Sequence, residues 1–336
     1  LSDSELKPSV ALIIPVYNEE EVLPQLIREL EVFRATRSET IRIYLVNDGS
    51  TDSTFVLARE LTTSFQGYVL IDFSRNFGHQ LAVSAGLEIC EEDAAIIMDA
   101  DLQDPLAVAG EMIDKWQEGS DIVHGVRRSR QGVSFMERIT ARLYYRVFRA
   151  LTGVEAPMDA GDFRLLARPV INAFGKFKEQ QPYVRGLISW LGFNQASVEF
   201  DRPARAAGET KYPWKRRLDL AFDGLISFSG RPLRWAMRLG LLISAGSIAG
   251  LCWVLLTKYI FQTAITGWAS LIFVAFFFGG VQLFFLGLVG SYLARVYDEV
   301  KDRPRYVIRT IHHSEGASSG SKAVPRGFDT QTREGS

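Results

Sequence analysis

Asp99 and Asp101 are the residues of this chain whose spacing points most directly to chemistry. They stand one residue apart at the end of an apolar run, in the string MDADLQDP. In extended backbone, positions i and i+2 point the same way. Two carboxylates on one face repel unless a cation lies between them, and hard oxygen ligands favour Mg2+ or Mn2+. Magnesium commonly takes one or two carboxylates and completes its shell with water and substrate phosphates. The pair therefore suits a cation that neutralises a leaving diphosphate. Gln103, two residues further on, can supply another oxygen. For such a pair taken alone, a solvated acidic loop is the alternative.

Asp48, in NDGSTD (47–52), has a carboxylate able to accept the imide N–H of a uracil or guanine ring. Asp-Gly is also a natural turn pair, so a purely structural role stays open. Tyr17, Asn18 and Glu19, in PVYNEE (15–20), can flank the same base. Arg75 and Asn76, in SRNFGH (74–79), can line the nucleotide or the sugar.

These four polar strings must be positioned by the runs that precede them. VALIIPV (10–16), IRIYLVN (41–47), YVLIDF (68–73), AAIIMDA (94–100) and DIVHGV (121–126) are short, apolar and β-rich. Helical patterns cover 20–34, 51–65, 79–89 and 105–118, with Ser50 or Asp52 available to cap the second. Strands alternating with helices predict an α/β domain with a mostly parallel sheet covered on both faces. Ligands bind such sheets outside the carboxyl ends of the strands, where the polar strings fall. No GxGxxG follows the first strand, which argues against a dinucleotide dehydrogenase.

The last third is different. Between Arg238 and Arg295 the only charged residue is Lys258, where an average stretch of this length would carry roughly 13 charges. Leu239–Thr257 and about Ala269–Leu293 are each long enough to span a bilayer as a helix. Arg231, Arg234 and Arg238 precede the first run, and Arg295, Lys301, Arg303, Arg305 and Arg309 follow the second. Positive flanks stay in the cytoplasm, so the large N-terminal part and both ends are expected there. The first apolar run is too short to be a signal sequence. Upstream, Trp214, Leu218, Ala221, Phe222, Leu225 and Ser229 recur at helical spacing beside Lys215, Arg216 and Arg217. That pattern fits a basic amphipathic helix on a membrane surface. The expected organisation is a cytoplasmic catalytic domain over 1–212, the amphipathic helix over 213–234, and two spans with a short connector over 235–295. A cytoplasmic tail, flexible at its end, follows over 296–336. Glycines in both runs, Gly246, Gly250, Gly279, Gly280, Gly287 and Gly290, permit close helix packing and self-association.

The strings IIPVYNEE, VNDGSTD, SRNFGHQ, MDADLQDP, DAGDFRLL and DRPARAAGETKY, in this order, resemble family 2 glycosyltransferases of GT-A fold, a nucleotide-diphospho-sugar transferase (Rossmann-like) architecture. The resemblance covers residues 8 to about 215 and extends into the membrane part. It is nearest to the polyprenyl-phosphate enzymes: dolichol-phosphate mannose synthases and, closer, bactoprenol glucosyltransferases. It implies a nucleotide-sugar donor, a divalent metal (Mg2+ or Mn2+), a lipid phosphate acceptor and a homo-oligomer, with a tetramer favoured. Carried onto this chain, Asp99, Asp101 and Gln103 take the metal–diphosphate role, with Asp101 catalytic. Asp48 and the loop from Pro15 to Glu19 take the base. Arg127 and Arg138 match residues that hold acceptor phosphate, with Arg128 and Arg130 as alternatives for the second. Arg205 and Lys211 match a mobile loop that closes over the site. Asp162 resembles the general base of inverting members. It can instead orient sugar or acceptor, and a capped turn before the strand FRLLA is the structural alternative.

The wording of GDFRLL and RPARAAGETKYP favours UDP-glucose as donor and undecaprenyl phosphate as acceptor. GDP-mannose and UDP-N-acetylhexosamine are the alternatives, and a catalytically silent membrane scaffold is the alternative of another class. A processive synthase is disfavoured, because RPLRW (231–235) lacks the glutamine of QxxRW. A net charge of −1 removes any bulk-charge case for nucleic acid. Cys90 and Cys252 support neither a disulfide framework nor a zinc cluster.

Overall fold

The computed structural model describes residues 7–128, 160–180, 182–201, 231–260 and 267–314. Arg130, Arg138, Arg205, Lys211 and the amphipathic segment over 213–230 lie outside the described residues.

The five expected strands form: β1 (Ser9–Val16), β2 (Thr40–Asn47), β3 (Tyr68–Phe73), β4 (Ala94–Ile97) and β5 (Ile122–Arg127). Helices α1 (Leu23–Thr36), α2 (Thr54–Ser64), α3 (His79–Ile89) and α4 (Leu106–Gln117) alternate with them. Beyond these lie β6 (Ala160–Ala167), α5 (Arg168–Phe174), α6 (Val184–Trp190) and β7 (Gln195–Phe200). Two long helices follow, α7 (Arg231–Tyr259) and α8 (Trp268–Val300), and then β8 (Ile308–His313).

All eight strands join one sheet in the order β7-β5-β6-β4-β1-β2-β3-β8. Strands β4, β1, β2 and β3 are mutually parallel, while β6 runs antiparallel to both β4 and β5 and β8 antiparallel to β3. Period-two alternation sends Val10, Leu12, Ile14 and Val16 of β1 to one face, against α1, α2 and α4. Ala11 and Ile13 go to the other face, against α3, α5 and α6. Burial on both sides explains why the parallel strands read as continuous apolar runs. Helix α3 lies so close over β1 that a Cβ on Gly86 would stand 2.4 Å from Ile13 Cγ2.

Three expectations need correction. The fourth strand ends at Ile97 rather than residue 100. There the Asp104 carboxylate accepts the Asp99 N–H (3.0 Å) and Asp101 Oδ1 accepts the Gln103 N–H (3.1 Å). Side chains offer this backbone a turn in place of a ladder, and Leu102 adopts φ 59° within it. Asp99 and Asp101 therefore do not share a strand face. Second, Asp162 lies inside β6, which starts before FRLLA and removes the capped turn that was its structural alternative. Third, residues 308–313 form an edge strand of the catalytic sheet instead of a tail. Besides that ladder, side chains just before the strand anchor it: Tyr306 stacks on Phe73 (centroids 5.1 Å apart) and, with Arg305, pairs with Glu88.

The two long helices bear on the two expected spans. Among the described residues, only Phe277–Val300 of α8 is long and apolar enough to cross a membrane by length and composition. The apolar stretch of α7, Met237–Gly250, is shorter, although α7 as a whole has 29 residues. Residues 231–234 continue into that helix and are not a separate element.

Candidate active site

The carboxyl ends of β1, β2, β3 and β4 open on one side of the sheet. Because β6 runs antiparallel to β4, with Arg164 opposite Ile97, its amino end reaches the same side. This reversal delivers Asp162 from a distant part of the sequence to the end of the fourth strand. His79, the first residue of α3, stands between them. Its Nε2 is 3.8 Å from Asp99 Oδ1 and 3.7 Å from Asp162 Oδ2, buried and without a hydrogen bond.

Asp162 is held by cations. Arg185, in α6, donates from Nε and Nη2 to its two oxygens at 3.1 Å each. Arg164, 1% exposed, lies 3.9 Å away and donates to the Gly161 carbonyl at 2.7 Å. Burial by itself pushes the Asp162 carboxyl up. The attraction and hydrogen bonds of Arg185, with Arg164 and His79, outweigh it and hold the group below the usual carboxylate range. Burial draws the Arg164 guanidinium down to about 10, against the pull of Asp162, so it is charged at neutral pH. Arg127, at the end of β5, reaches the same place: a Cβ on Gly161 would lie 3.2 Å from its guanidinium. Its neighbour Arg128 turns instead to Glu199 (3.5 Å) and Asp201 (3.8 Å).

On the other side of His79 lie the loops after β1, β2 and β3. The buried Asp48 carboxylate accepts the N–H of Phe77 (2.7 Å) and that of Gly78 (3.0 Å). Burial raises its pKa, and the two N–H groups work against that rise. It therefore ties the second strand end to the turn that launches α3. Gly49 permits this approach: with φ +66°, a Cβ there would fall 2.3 Å from the Arg75 carbonyl carbon. Asn18 bridges to the loop after β2, its Oδ1 accepting the Thr51 N–H at 2.8 Å and its own N–H donating to Ser50 Oγ at 3.0 Å. Asp52, not Ser50, meets the start of α2, through the Thr54 N–H (3.0 Å). Tyr17 is exposed, Pro15 is buried, and Glu19 donates its N–H to Thr54 Oγ1 (2.8 Å). Arg75 is exposed and lies over the Phe77 ring, 4.1 Å from its centroid, with Asn76 beside it.

Asp99, Asp101 and Gln103 thus sit on one turn, with Gln103 buried and one oxygen of Asp101 engaged by the backbone. Among the described residues no three His, Cys, Asp or Glu side chains converge to hold a metal ion. That donor set still suits Mg2+ or Mn2+, which take one or two carboxylates and draw remaining oxygens from phosphates and water.

Sequence reasoning missed His79, Arg164 and Arg185. His79 stands within SRNFGH and Arg164 two residues after Asp162, on the same strand face. Arg185 belongs to no recognisable string, and only the fold brings it to Asp162.

Comparison with known proteins agrees with this architecture. The description "Glycosyl transferase family 2" matches residues 11–175. The uncharacterized glycosyltransferase YkcC of Bacillus subtilis is 42% identical over 305 residues, 91% of this chain and 94% of its own length. The prophage bactoprenol glucosyl transferase homolog of Escherichia coli is 35% identical over 302 residues, 90% of this chain and 99% of its own. The bactoprenol glucosyl transferase of Shigella phage SfII is 35% identical over 90% of this chain and 98% of its own. Among solved structures, glucosyl-3-phosphoglycerate synthase from Mycobacterium tuberculosis shares the fold. Its TM-score is 0.50 at 16% identity, over 66% of this chain and 80% of that one.

Proposed function

The chain belongs to glycosyl transferase family 2, and from that premise we propose that it transfers glucose from UDP-glucose to a polyprenyl phosphate such as undecaprenyl phosphate. Transfer would invert the anomeric carbon at the cytoplasmic membrane face. The enzyme class and the GT-A fold are settled by the relatives; donor, acceptor and topology are this proposal. Its lipid acceptor is supported by relatives named for bactoprenol glucosylation along nearly their whole length.

One observation carries the site reading: two acidic strand ends, Asp99 and Asp162, flank His79, with Arg185 and Arg127 at the Asp162 end. A divalent cation bound at Asp99 and Asp101 would neutralise charge on the departing diphosphate. Asp48 holds the turn that receives the base, Tyr17 and Arg75 offer exposed flat groups to it, and Asn18 locks its two loops. Arg127 offers a guanidinium fork for an acceptor phosphate, a geometry suited to phosphate oxygens, and Arg185, whose Nε and Nη2 serve Asp162, adds positive charge beside it. A phosphate is already anionic at neutral pH, so it needs cations beside the donor diphosphate more than it needs a base. Asp162, kept ionised by Arg185, orients that arginine beside the incoming phosphate. Positioning and electrostatics supply most of the acceleration. Arg138, Arg205 and Lys211 keep their proposed acceptor roles from the sequence.

Sheet topology supports two spans. Strand β7 before α7 and β8 after α8 belong to one sheet. The chain between them must therefore cross any bilayer an even number of times. If Phe277–Val300 crosses, α7 is the partner that crosses back. At 29 residues it measures about 43 Å, more than a hydrocarbon core. Self-association, with a tetramer favoured, would use the glycine faces of both helices, where an added Cβ meets none of the described residues of a single chain within 4 Å.

A donor panel tests the reading. Purified protein in detergent is given UDP-glucose, UDP-N-acetylglucosamine or GDP-mannose with undecaprenyl phosphate, with and without Mn2+. Metal-dependent UDP release from UDP-glucose alone, requiring the lipid, is expected. Turnover of GDP-mannose alone would replace the donor, and no lipid-dependent turnover of any donor would overturn the function.

A further inference from the structure

A buried acid in the sheet plays no part in the chemistry above. Asp72, in β3, is 0% exposed, and its neighbour across the ladder is Asn47 of β2, 1% exposed. Burying a carboxylate and an amide side by side is costly unless both are hydrogen-bonded. Asp72 Oδ1 accepts Asn47 Nδ2 at 2.7 Å, and its Oδ2 accepts Arg309 Nη1 at 3.1 Å.

Arg309 reaches that acid through an irregularity. In the β3–β8 ladder Thr310 pairs with Asp72 and Ile308 with Phe73, leaving Arg309 between them as an extra residue. A bulge of this kind re-aims a side chain. Here it also brings Arg309 Nη2 to the Ser74 carbonyl at 3.0 Å, just past the end of β3. Beyond Asn47 the hydrogen bonds continue. Asn47 Oδ1 accepts the Ser50 hydroxyl at 2.6 Å, and Ser50 Oγ accepts the Asn18 N–H at 3.0 Å. Asn18 has φ 55°, a sparsely populated conformation that persists only where its surroundings fix it.

We propose that Arg309 is a positioning residue of the nucleotide site. The strand that follows the second long helix fixes, through Asp72 and Asn47, the paired loops 17–19 and 47–51. Nucleotide affinity then depends on chain that has docked back from the α7–α8 hairpin. The inference rests on the reading of those loops as the base site. A strand that only covered the sheet edge would need neither the bulge nor a buried acid aimed at Asn47.

The test uses full-length protein in detergent with Mn2+. UDP and GDP are each titrated calorimetrically, and donor and acceptor kinetics and thermal melting are measured in parallel. Arg309→Ala is expected to weaken nucleotide binding and raise donor KM about fivefold, the effect of one lost hydrogen bond. Its kcat and acceptor KM should stay within about twofold. Arg309→Lys, which keeps a charge for Asp72, should recover most of the loss. Asn18→Ala should weaken binding at least as much as Arg309→Ala. A lower melting temperature with unchanged nucleotide affinity and donor KM in Arg309→Ala would overturn the proposal while leaving the base site standing, provided Asn18→Ala does weaken binding. Unchanged affinity in Asn18→Ala would remove the base site and the proposal together. If Arg309→Ala does not fold, Arg309→Gln is compared with Arg309→Lys: a higher donor KM for Gln supports the relay, and equal values overturn it.

Discussion

Asp162 draws its chemistry from its neighbours. With Arg185 on both oxygens at 3.1 Å, its carboxyl stays ionised well into the acid range. The pH profile of kcat/KM should therefore show no acid limb from this group between about pH 6 and 8. Removing Arg185 leaves burial opposed by Arg164 and His79 without the strongest of the three cations, so the carboxyl pKa rises. Arg185→Ala should thus move an acid limb up toward neutrality, besides lowering kcat/KM. It should cost about 1–2 kcal/mol of stability, since both partners are partly exposed. A profile identical to the parent in Arg185→Ala would contradict this account of Asp162. Asp162→Asn should lower kcat about a hundredfold or more while donor KM changes little, as single-turnover and steady-state rates would reveal. Asp162 and Arg127 could be found in the sequence because motifs carry them. Arg185 could not, since its partnership is made by β6 running antiparallel beside β4 and by α6 packing near its start.

At the level of elements, β5 carries a buried histidine with a measurable consequence. His124 is 3% exposed; burial and the nearby Arg164 draw its pKa down to about 4, while Gln195 opposes them. Its folded pKa lies below the unfolded value, so the unfolded chain binds the proton first as pH falls. Stability is then full above about pH 6.5 and declines toward pH 4. Between pH 7.5 and pH 5 the loss is on the order of 2 kcal/mol. Thermal melts of the parent should show it, and His124→Gln should flatten it; an equal acid slope in both would contradict the assignment. The apolar runs made the parallel strands legible, because strands covered on both faces must be apolar throughout. Strand β8 was not legible: IRTIHH mixes polar and apolar residues, as an exposed edge permits. It also follows basic residues that read as a membrane flank.

The described strands form one sheet, with two long helices between β7 and β8 in the chain, and the proposed pair of crossings is testable. In a cysteine-free background, Gly267→Cys, between the long helices, should react with a membrane-impermeant maleimide added to intact cells. Asp302→Cys, after α8, should react only once the membrane is opened. Labelling of both from outside, or of neither, would contradict the two-crossing arrangement. Charge segregation marked two apolar runs in the sequence, of which, among the described residues, only Phe277–Val300 is long and apolar enough to cross a membrane; the return of the chain to the sheet depended on pairing over more than two hundred residues. One product decides the reaction. Proton NMR of the lipid formed from UDP-glucose and undecaprenyl phosphate reads both transfer and anomeric configuration. A β-linked glucosyl phosphate is predicted for direct displacement of an α-linked donor. An α-linked product, or no glycosylated lipid at all, would contradict the account.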